Sequence, residues 1–509
     1  MSVLTEELDK EIKKRRTFAI ISHPDAGKTT LTEKLLLYGG AIHLAGSIKS
    51  RKTQRHAVSD WMEIEKQRGI SVTSSVLQFD YEDCRINILD TPGHQDFSED
   101  TYRTLMAVDS AVMVIDVAKG VEAQTKKLFK VCKQRGIPIF TFVNKLDHYG
   151  KLPIDLMDEI ETVLGIRSYP MNWPIGTDGQ YLGVYDRQEK KINLFTEDTS
   201  HGQTARVADT YTLDDPALIA RIGQETHAAL KDDLKLLDEA GESFDLEKIA
   251  AGELTPMYFG SAMTNFGVQD FLEGYIKLAP TPAPRNSSVG LIEPNDDKFS
   301  AFVFKIQANM NPAHRDRLAF IRICSGKFER NMNVWHERSA KVIKLAQPQQ
   351  FLAQDRQIID TAYPGDIVGL FDPGIFGIGD TICEPSKKFK FADFPVFPPE
   401  KFARVQAKDT MKRKQFVKGI EQLTQEGAIQ LFRQAGAGLD SYIVGTVGTL
   451  QFEVLEYRLK NEYNVDIEMV MQPFEVARWL AFEDGRNVTP ESLKGTDRGM
   501  FVYDREENP

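Results

Sequence analysis

Cysteine is scarce in this sequence, which has four among 509 residues: Cys84, Cys132, Cys324 and Cys383. They lie far apart and show none of the short spacings found in zinc sites or in disulfide-stapled domains. We therefore exclude a cysteine-based metal site and expect buried, reduced thiols in a cytoplasmic protein.

Long apolar runs are absent as well. No stretch approaches about 18 uninterrupted apolar residues, so the sequence predicts no membrane span. Residues 1–16 carry charges of both signs instead of the apolar centre of an export signal. Leu4, Leu8 and Ile12 in this stretch have the spacing of a short amphipathic helix.

Basic residues are outnumbered, with 63 Lys and Arg against 74 Asp and Glu and a formal net charge of −11. A chain of this charge is not expected to be wrapped in nucleic acid, and we predict no DNA partner. A net negative charge still allows basic patches at individual places on the surface. The length predicts about three domains.

The stretch 18–30, FAIISHPDAGKTT, predicts a strand, a tight loop and the start of a helix. In this arrangement backbone N–H groups and a helix N-terminus bind a di- or triphosphate. Lys28 would reach the β- and γ-phosphates and the Thr29 hydroxyl would bind Mg²⁺, although Ser22 stands where the usual pattern has glycine. The predicted phosphate-binding residues are Ser22, His23, Pro24, Asp25, Ala26, Gly27, Lys28, Thr29 and Thr30.

The region after this helix has two features. A basic segment at 43–55 is interpreted as a solvated loop. At 66–73, KQRGISVT, a glycine before a β-branched run marks a place where the backbone can change direction. A hydroxyl at Ser71 or Thr73 could complete the coordination of a Mg²⁺ ion bound by Thr29.

A predicted strand at 85–89 ends in DTPGH, residues 90–94. An Asp at the carboxyl end of a core strand lies beside the phosphate loop in an open α/β sheet. There Asp90 would hold Mg²⁺ through water, and the Gly93 N–H would point at the γ-phosphate. A simple turn is the alternative, which the spacing from GKT disfavours. The motif adds Asp90, Thr91, Pro92, Gly93 and His94 to the predicted site.

A second predicted buried strand, 137–143, ends in NKLD, residues 144–147. Here a carboxylate can accept hydrogen bonds from N1–H and the exocyclic amino group of guanine, and adenine would leave it buried and unpaired. Lys145 would cover the base, Asn144 would tie this loop to the phosphate loop, and the backbone at 261–263 would contact the guanine carbonyl. The motifs contribute Asn144, Lys145, Leu146, Asp147, Ser261, Ala262 and Met263.

GKTT, RGI followed by a hydroxyl residue, DTPGH, NKLD and SAM together resemble a translational GTPase of the elongation factor G and elongation factor Tu superfamily. His94 replaces the glutamine of small signalling GTPases. SHPDAGKTT and SDWMEIEKQRGIS are similar to bacterial peptide chain release factor three. Elongation factor G typically has Ile at the position of Pro24 and Thr at that of Ser71, and its tip domains would need a longer chain.

The resemblance implies roles for individual residues. Thr29 and Ser71 would bind Mg²⁺ with Asp90 behind them, together with GTP or GDP. Asp25 would lie near the bridging oxygen, and Pro24 and Ile70 would form an apolar gate beside His94. The catalytic residues would be His94, Lys28 and Asp25. His94 would order the attacking water on the ribosome, either as a base or by electrostatics.

The fold class predicted is multidomain α/β and β: a P-loop GTPase domain with an inserted subdomain, a β-barrel and a ferredoxin-like α+β domain. The boundaries are 1–283, with the insert at about 165–255, then 284–395 and 396–509. Pro-rich stretches at 279–300 and 394–399 are interpreted as linkers. The β-α-β-β-α-β order between 402 and 471 predicts the third domain. Residues 474–509 have no predicted element, and the insert has either an unknown function or none.

By this resemblance the protein would be a ribosome-stimulated GTP hydrolase that promotes departure of class I release factors after peptide release. Its partners would be the ribosome and these factors, and it would be a monomer off the ribosome. Two alternatives stay open: another ribosomal role, such as translocation or ribosome protection, and a nucleotide-sensing protein with incidental hydrolysis. A basic cluster predicts contact with ribosomal RNA, with a solvated helix face as the alternative. The cluster consists of Arg404, Lys408, Lys412, Arg413, Lys414 and Lys418.

Overall fold

The computed structural model describes residues 3–42, 65, 71–176, 181–195, 208–308, 317–345, 347–352, 355–434, 442–483, 488–492 and 501–509. The predicted solvated segment 43–55 and the gate residue Ile70 lie outside these residues. Among the helices described, none has the length and apolarity needed to cross a bilayer.

Seven strands at one end of a larger sheet form the centre of the first domain, with spatial order β2-β3-β1-β4-β5-β11-β6, and the sheet continues past β2 into the second domain. Neighbouring strands are parallel except for β2, which runs antiparallel to β3. The seven strands are β1 (Arg15–Ser22), β2 (Ser75–Tyr81), β3 (Cys84–Asp90), β4 (Ser110–Asp116), β5 (Ile139–Asn144), β6 (Arg167–Pro170) and β11 (Leu254–Phe259).

Helices cover both faces of this sheet, and the sequence of β1 shows why. Phe18 and Ile20 pack into one apolar cluster, while Ala19 and Ile21 pack into a second cluster on the opposite face. Strand β4 is buried along its whole length, as expected for a parallel strand covered by helices on both faces. The helices are α1 (Val3–Lys14), α2 (Lys28–Tyr38), α3 (Ser98–Met106), α4 (Ala123–Gln134), α5 (Pro153–Leu164) and α9 (Val268–Leu278).

Within its described residues, the insert contains an antiparallel sheet of order β10-β9-β8-β7 together with three helices. Strand β6 lies inside the predicted insert range but extends the main sheet, so the separate sheet begins at Asn172. The elements are β7 (Asn172–Ile175), β8 (Gly183–Asp186), β9 (Lys191–Phe195), β10 (Ala208–Thr212), α6 (Pro216–Ile222), α7 (Gln224–Ala240) and α8 (Leu246–Ala250).

The second domain is built from short strands, as its Gly- and Pro-punctuated apolar runs predict. The stretch 279–300 is more than a linker, because it contains a hairpin of β12 (Arg285–Ser287) and β13 (Gly290–Ile292). The other strands are β14 (Ser300–Ala308), β15 (Arg317–Ser325), β16 (Phe328–Glu329), β17 (Asn333–His336), β18 (Lys341–Lys344), β19 (Pro348–Leu352), β20 (Asp355–Ile358), β21 (Thr361–Ala362), β22 (Ile367–Phe371) and β23 (Thr381–Cys383).

The third domain has the strand order β27-β24-β26-β25, which is the ferredoxin-like arrangement, and β28 extends its edge. This added strand comes from the segment for which the sequence predicted no element. The elements are β24 (Lys401–Ala407), α10 (Arg413–Gln425), β25 (Gln430–Gln434), β26 (Tyr442–Thr446), α11 (Leu450–Tyr463), β27 (Ile467–Gln472) and β28 (Val502–Tyr503).

Candidate nucleotide-binding site

The loop between β1 and α2 has the conformation of a phosphate-binding loop. Asp25 and Gly27 adopt left-handed backbone conformations, with φ of 65° and 95°. Helix α2 begins at Lys28, so its free N–H groups face the loop. The side chains of Lys28 and Thr29 are buried, whereas Asp25 is exposed.

The DTPGH motif packs directly against this loop. Asp90 is the last residue of β3 and pairs in register with Ile20 of β1. The Thr91 hydroxyl donates to the Ile20 carbonyl oxygen at 2.6 Å. A Cβ atom on Gly93 would lie 3.4 Å from the Cα of Pro24, which shows how closely the two motifs approach. The motif therefore lies where it can reach a phosphate chain held by the loop.

Two of the magnesium ligands predicted from the sequence, Thr29 and Asp90, lie at this junction, at the start of α2 and at the end of β3. The Lys28 ammonium pairs with one carboxylate oxygen of Asp90, while the second oxygen is buried without a hydrogen-bond partner. In the described part of the chain no cluster of three His, Cys, Asp or Glu side chains could hold a metal alone. This donor set fits Mg²⁺, which needs few protein ligands when phosphate oxygens complete its shell.

His94 lies at the start of a short 3₁₀ helix, Gln95–Phe97, with its side chain partly exposed. Its Nδ1 atom accepts a hydrogen bond from the Asp96 N–H at 3.2 Å and lies 3.4 Å from Asp96 Oδ1. The sequence did not predict a role for Asp96. Pro24, the described residue of the predicted gate, is partly buried in the phosphate loop.

The NKLD loop joins the base-binding region to the phosphate loop. The Asn144 amide donates to the Ala26 carbonyl oxygen at 2.9 Å and accepts from the Ala262 N–H at 2.8 Å. The Lys145 ammonium donates to the Asp25 carbonyl oxygen at 2.5 Å, so its stem crosses the space between the two loops. The structure therefore brings the two predicted motifs together.

Asp116 is a second residue that sequence reasoning missed. Its carboxylate accepts from the Lys145 ammonium at 2.8 Å and fixes the position of that side chain. Burial favours a higher pKa for Asp116, but hydrogen bonds from Lys145 and the Ala118 N–H bring its pKa below the ordinary value. Asp116 could have been predicted as a site residue from its position, because it ends β4, the strand next to β1.

The carboxylate predicted to read the base, that of Asp147, is held by the SAM segment. The Ser261 hydroxyl donates to Asp147, and His148 Nε2 lies 3.3 Å from the other carboxylate oxygen. The N–H groups of Ser261 and Ala262 donate to Phe266 and Asn144 within the protein. Met263 is 42% exposed. Leu146 is buried beneath the loop.

Three family models match successive parts of the chain. Residues 13–281 match the elongation factor Tu GTP binding domain, and residues 298–385 match elongation factor G domain 2. Residues 391–509 match the C-terminal domain of class II release factor RF3. The order of these matches is the order of the three domains in the structure.

Relatives match along nearly the whole chain. The sequence is 60% identical to peptide chain release factor 3 of Symbiobacterium thermophilum, over 98% of this chain and 94% of the relative. It is 55% identical to peptide chain release factor 3 of Listeria innocua, over 99% and 95% of the two chains.

A solved structure from Thermus thermophilus shares the fold, with a TM-score of 0.72 and 22% identity over 90% of this chain and 67% of that one. The similarity predicted from GKTT, DTPGH and NKLD is thus confirmed, as is the predicted fold class. This chain belongs to the peptide chain release factor 3 family of translational GTPases.

Proposed function

We propose that this protein hydrolyses GTP on the ribosome during translation termination and promotes dissociation of class I release factors after peptide release. Near full-length identity to peptide chain release factor 3 supports the termination role. The hydrogen-bonded set of Asn144, Asp147 and Ser261 supports guanine as the base. The protein acts in the cytoplasm as a monomer off the ribosome, with the domain boundaries predicted above.

The proposed nucleotide lies across the phosphate loop, DTPGH, NKLD and the Ser261 to Met263 segment. Lys28 leaves Asp90 to bind the β- and γ-phosphates, and Asp147 accepts from guanine. Thr29, Ser71 and Asp90 would hold Mg²⁺, which neutralises charge on the phosphates when bound. His94 orders the attacking water once the ribosome positions it, with Asp25 near the bridging oxygen.

The proposal is tested with ribosomes stalled at a stop codon and carrying a fluorescent class I release factor. We expect this protein and GTP together to accelerate dissociation of that factor, and neither alone to do so. His94→Ala should remove the acceleration that depends on hydrolysis. Ribosome-stimulated GTP hydrolysis without faster dissociation would overturn the termination role. Equal GTP turnover with and without ribosomes would overturn the assignment as a ribosomal GTPase.

A further inference from the structure

The third domain contacts Asp96, which lies two residues after the proposed catalytic residue His94. Asp96 Oδ2 accepts a hydrogen bond from the Leu450 N–H, at 2.8 Å, where α11 begins. The N-cap residue of that helix, Thr449, makes no side-chain cap hydrogen bond. Asp96 therefore supplies from the GTPase domain the acceptor that an N-cap side chain ordinarily provides, and the helix dipole favours its negative charge.

Close packing holds this contact in place. A Cβ atom on Gly448 would lie 1.9 Å from Cγ of Asp96, so the carboxylate fits against the backbone only because residue 448 has no side chain. Beside it, Val72 and Phe97 of the GTPase domain pack with Val454 of α11 in a separate apolar cluster. The position of Asp96 thus depends on the docking of the third domain.

Asp96 places both a hydrogen-bond donor and a hydrogen-bond acceptor near His94 Nδ1, and that nitrogen can bond only one of them at a time. Its N–H donates to His94 Nδ1 at 3.2 Å, and its Oδ1 lies 3.4 Å from that nitrogen. A ring nitrogen that accepts a hydrogen bond carries no proton, so this bond places the proton of a neutral imidazole on Nε2. A bond to the carboxylate requires the proton on Nδ1 instead.

We propose that Asp96 is a positioning residue through which docking of the third domain sets the tautomer of His94. This inference rests on the proposed role of His94 in hydrolysis. With α11 docked, the Leu450 N–H holds Oδ2 and keeps Oδ1 at 3.4 Å from Nδ1, beyond the ordinary hydrogen-bond length. The Asp96 N–H is then the group that bonds Nδ1, so His94 is protonated at Nε2 and that atom cannot accept from water. When α11 leaves, the carboxylate accepts from Nδ1–H. Solvent takes the proton from Nε2 and returns one to Nδ1, which frees the Nε2 lone pair to orient the attacking water.

The tautomer is read by ¹⁵N NMR of the full-length protein labelled at histidine, with the His94→Ala spectrum as the assignment reference. Wild type should show Nε2–H at His94. Gly448→Ala and Val454→Asp, which undock α11 by different means, should both shift the ring to Nδ1–H. Val470→Asp is the matched control, because Val470 is exposed on β27 of the same domain.

Adding Asp96→Ala to Gly448→Ala should abolish this shift, because the carboxylate that selects Nδ1–H is gone. Asp96→Ala alone should lower ribosome-stimulated GTP hydrolysis about 10²-fold with unchanged GTP affinity, because His94 loses the carboxylate that orients it. Small-angle scattering reports whether the third domain has separated in each variant.

Separation of the domain with an unchanged His94 tautomer would overturn the proposal. Full ribosomal stimulation in Asp96→Ala would also overturn it. Full ribosomal stimulation of GTP hydrolysis in His94→Ala would instead overturn the proposed role of His94 in hydrolysis. The NMR measurement of the tautomer does not depend on that role. The two failures are therefore distinguishable.

Discussion

Asn144 lies directly against Gly27, and a Cβ atom on Gly27 would fall 2.2 Å from the side-chain nitrogen of Asn144. That nitrogen donates to the Ala26 carbonyl oxygen, so a hydrogen bond joins the NKLD loop to the phosphate loop beside Gly27. Gly27 also has a φ of 95°, a conformation that side chains disfavour. Gly27 is thus required both for the close approach of Asn144 and for the left-handed backbone conformation.

The first prediction concerns this glycine. Gly27→Ala should displace Asn144 and raise the Kd for GTP at least about tenfold, which corresponds to about 1.4 kcal/mol. Fluorescent-nucleotide titration measures this. Gly40→Ala is the matched control, because Gly40 has a φ of 68° but a Cβ atom added to it would meet no atom within 4 Å. Equal affinities in the two variants would show that the clash with Asn144 does not weaken GTP binding.

A second prediction addresses the base. Asp147→Asn should lose affinity for GTP and gain affinity for xanthosine triphosphate. Xanthine carries a carbonyl oxygen where guanine has its amino group, and the Asn amide can donate to it. The preference should change by about 10²-fold or more, as when a buried polar group loses its partner. Competition binding with both nucleotides measures it. Asp83→Asn, in an exposed turn, is the control. An unchanged GTP affinity would contradict the assignment of Asp147.

His94 is the subject of the third prediction. His94→Ala should bind GTP with wild-type affinity, because the side chain is partly exposed and its ring is held by a hydrogen bond from the Asp96 N–H. Ribosome-stimulated hydrolysis should fall about 10²-fold or more. Single-turnover phosphate release with saturating ribosomes measures it. His227→Ala, in α7 of the insert, is the control. Undiminished phosphate release in His94→Ala would show that another residue orients the attacking water.

These predictions show what the sequence could and could not reveal. Motifs at strand ends were predictable, because the carboxyl ends of parallel strands meet at one edge of the sheet. The bond between Asp96 and Leu450 joins residues 354 positions apart in different domains, and no local pattern reports it. Strand β28 has only two residues, too few for a periodicity to be recognised. Hairpin β12–β13 was missed because its Pro-rich, polar surroundings are typical of linkers.

The fourth prediction concerns the boundary between the first two domains. Buried Asp109 accepts from Arg322 at 2.5 Å and from Arg285 at 3.1 Å. Burial lowers the pKa of Arg285, although Asp109 opposes this shift. Asp109→Ala leaves the buried Arg322 guanidinium and the partly buried Arg285 guanidinium without this carboxylate and should destabilise the protein by about 3–5 kcal/mol.

The measurement is the thermal unfolding transition of the full-length protein. Asp209→Ala is the control, because Asp209 forms an exposed ion pair with Arg221 at 3.2 Å and should matter by at most about 1 kcal/mol. Similar melting temperatures for the two variants would show that the Asp109 ion pairs contribute no more than a surface pair.

The last prediction is a pH dependence centred on Asp270, at the junction of the insert and the GTPase domain. Burial, with the charges of Asp186 and Glu273, raises the pKa of Asp270 to about 7. Between about pH 4 and 7 the folded protein therefore binds more protons than the unfolded chain, and stability falls as the pH rises through this window. Asp270→Asn removes the titration and can keep a hydrogen bond to Asn193, which contacts Asp270 at 3.1 Å.

We expect Asp270→Asn to melt at a higher temperature than wild type at pH 8, with a smaller difference or none at pH 5. The full change in relative stability across the window is about 4 kcal/mol, since each pKa unit corresponds to about 1.4 kcal/mol. Differential scanning fluorimetry at both pH values measures it. Asp232→Asn, on the exposed face of α7, is the control for loss of a surface charge. A melting-temperature difference that is the same at pH 5 and pH 8 would show that Asp270 does not titrate between them.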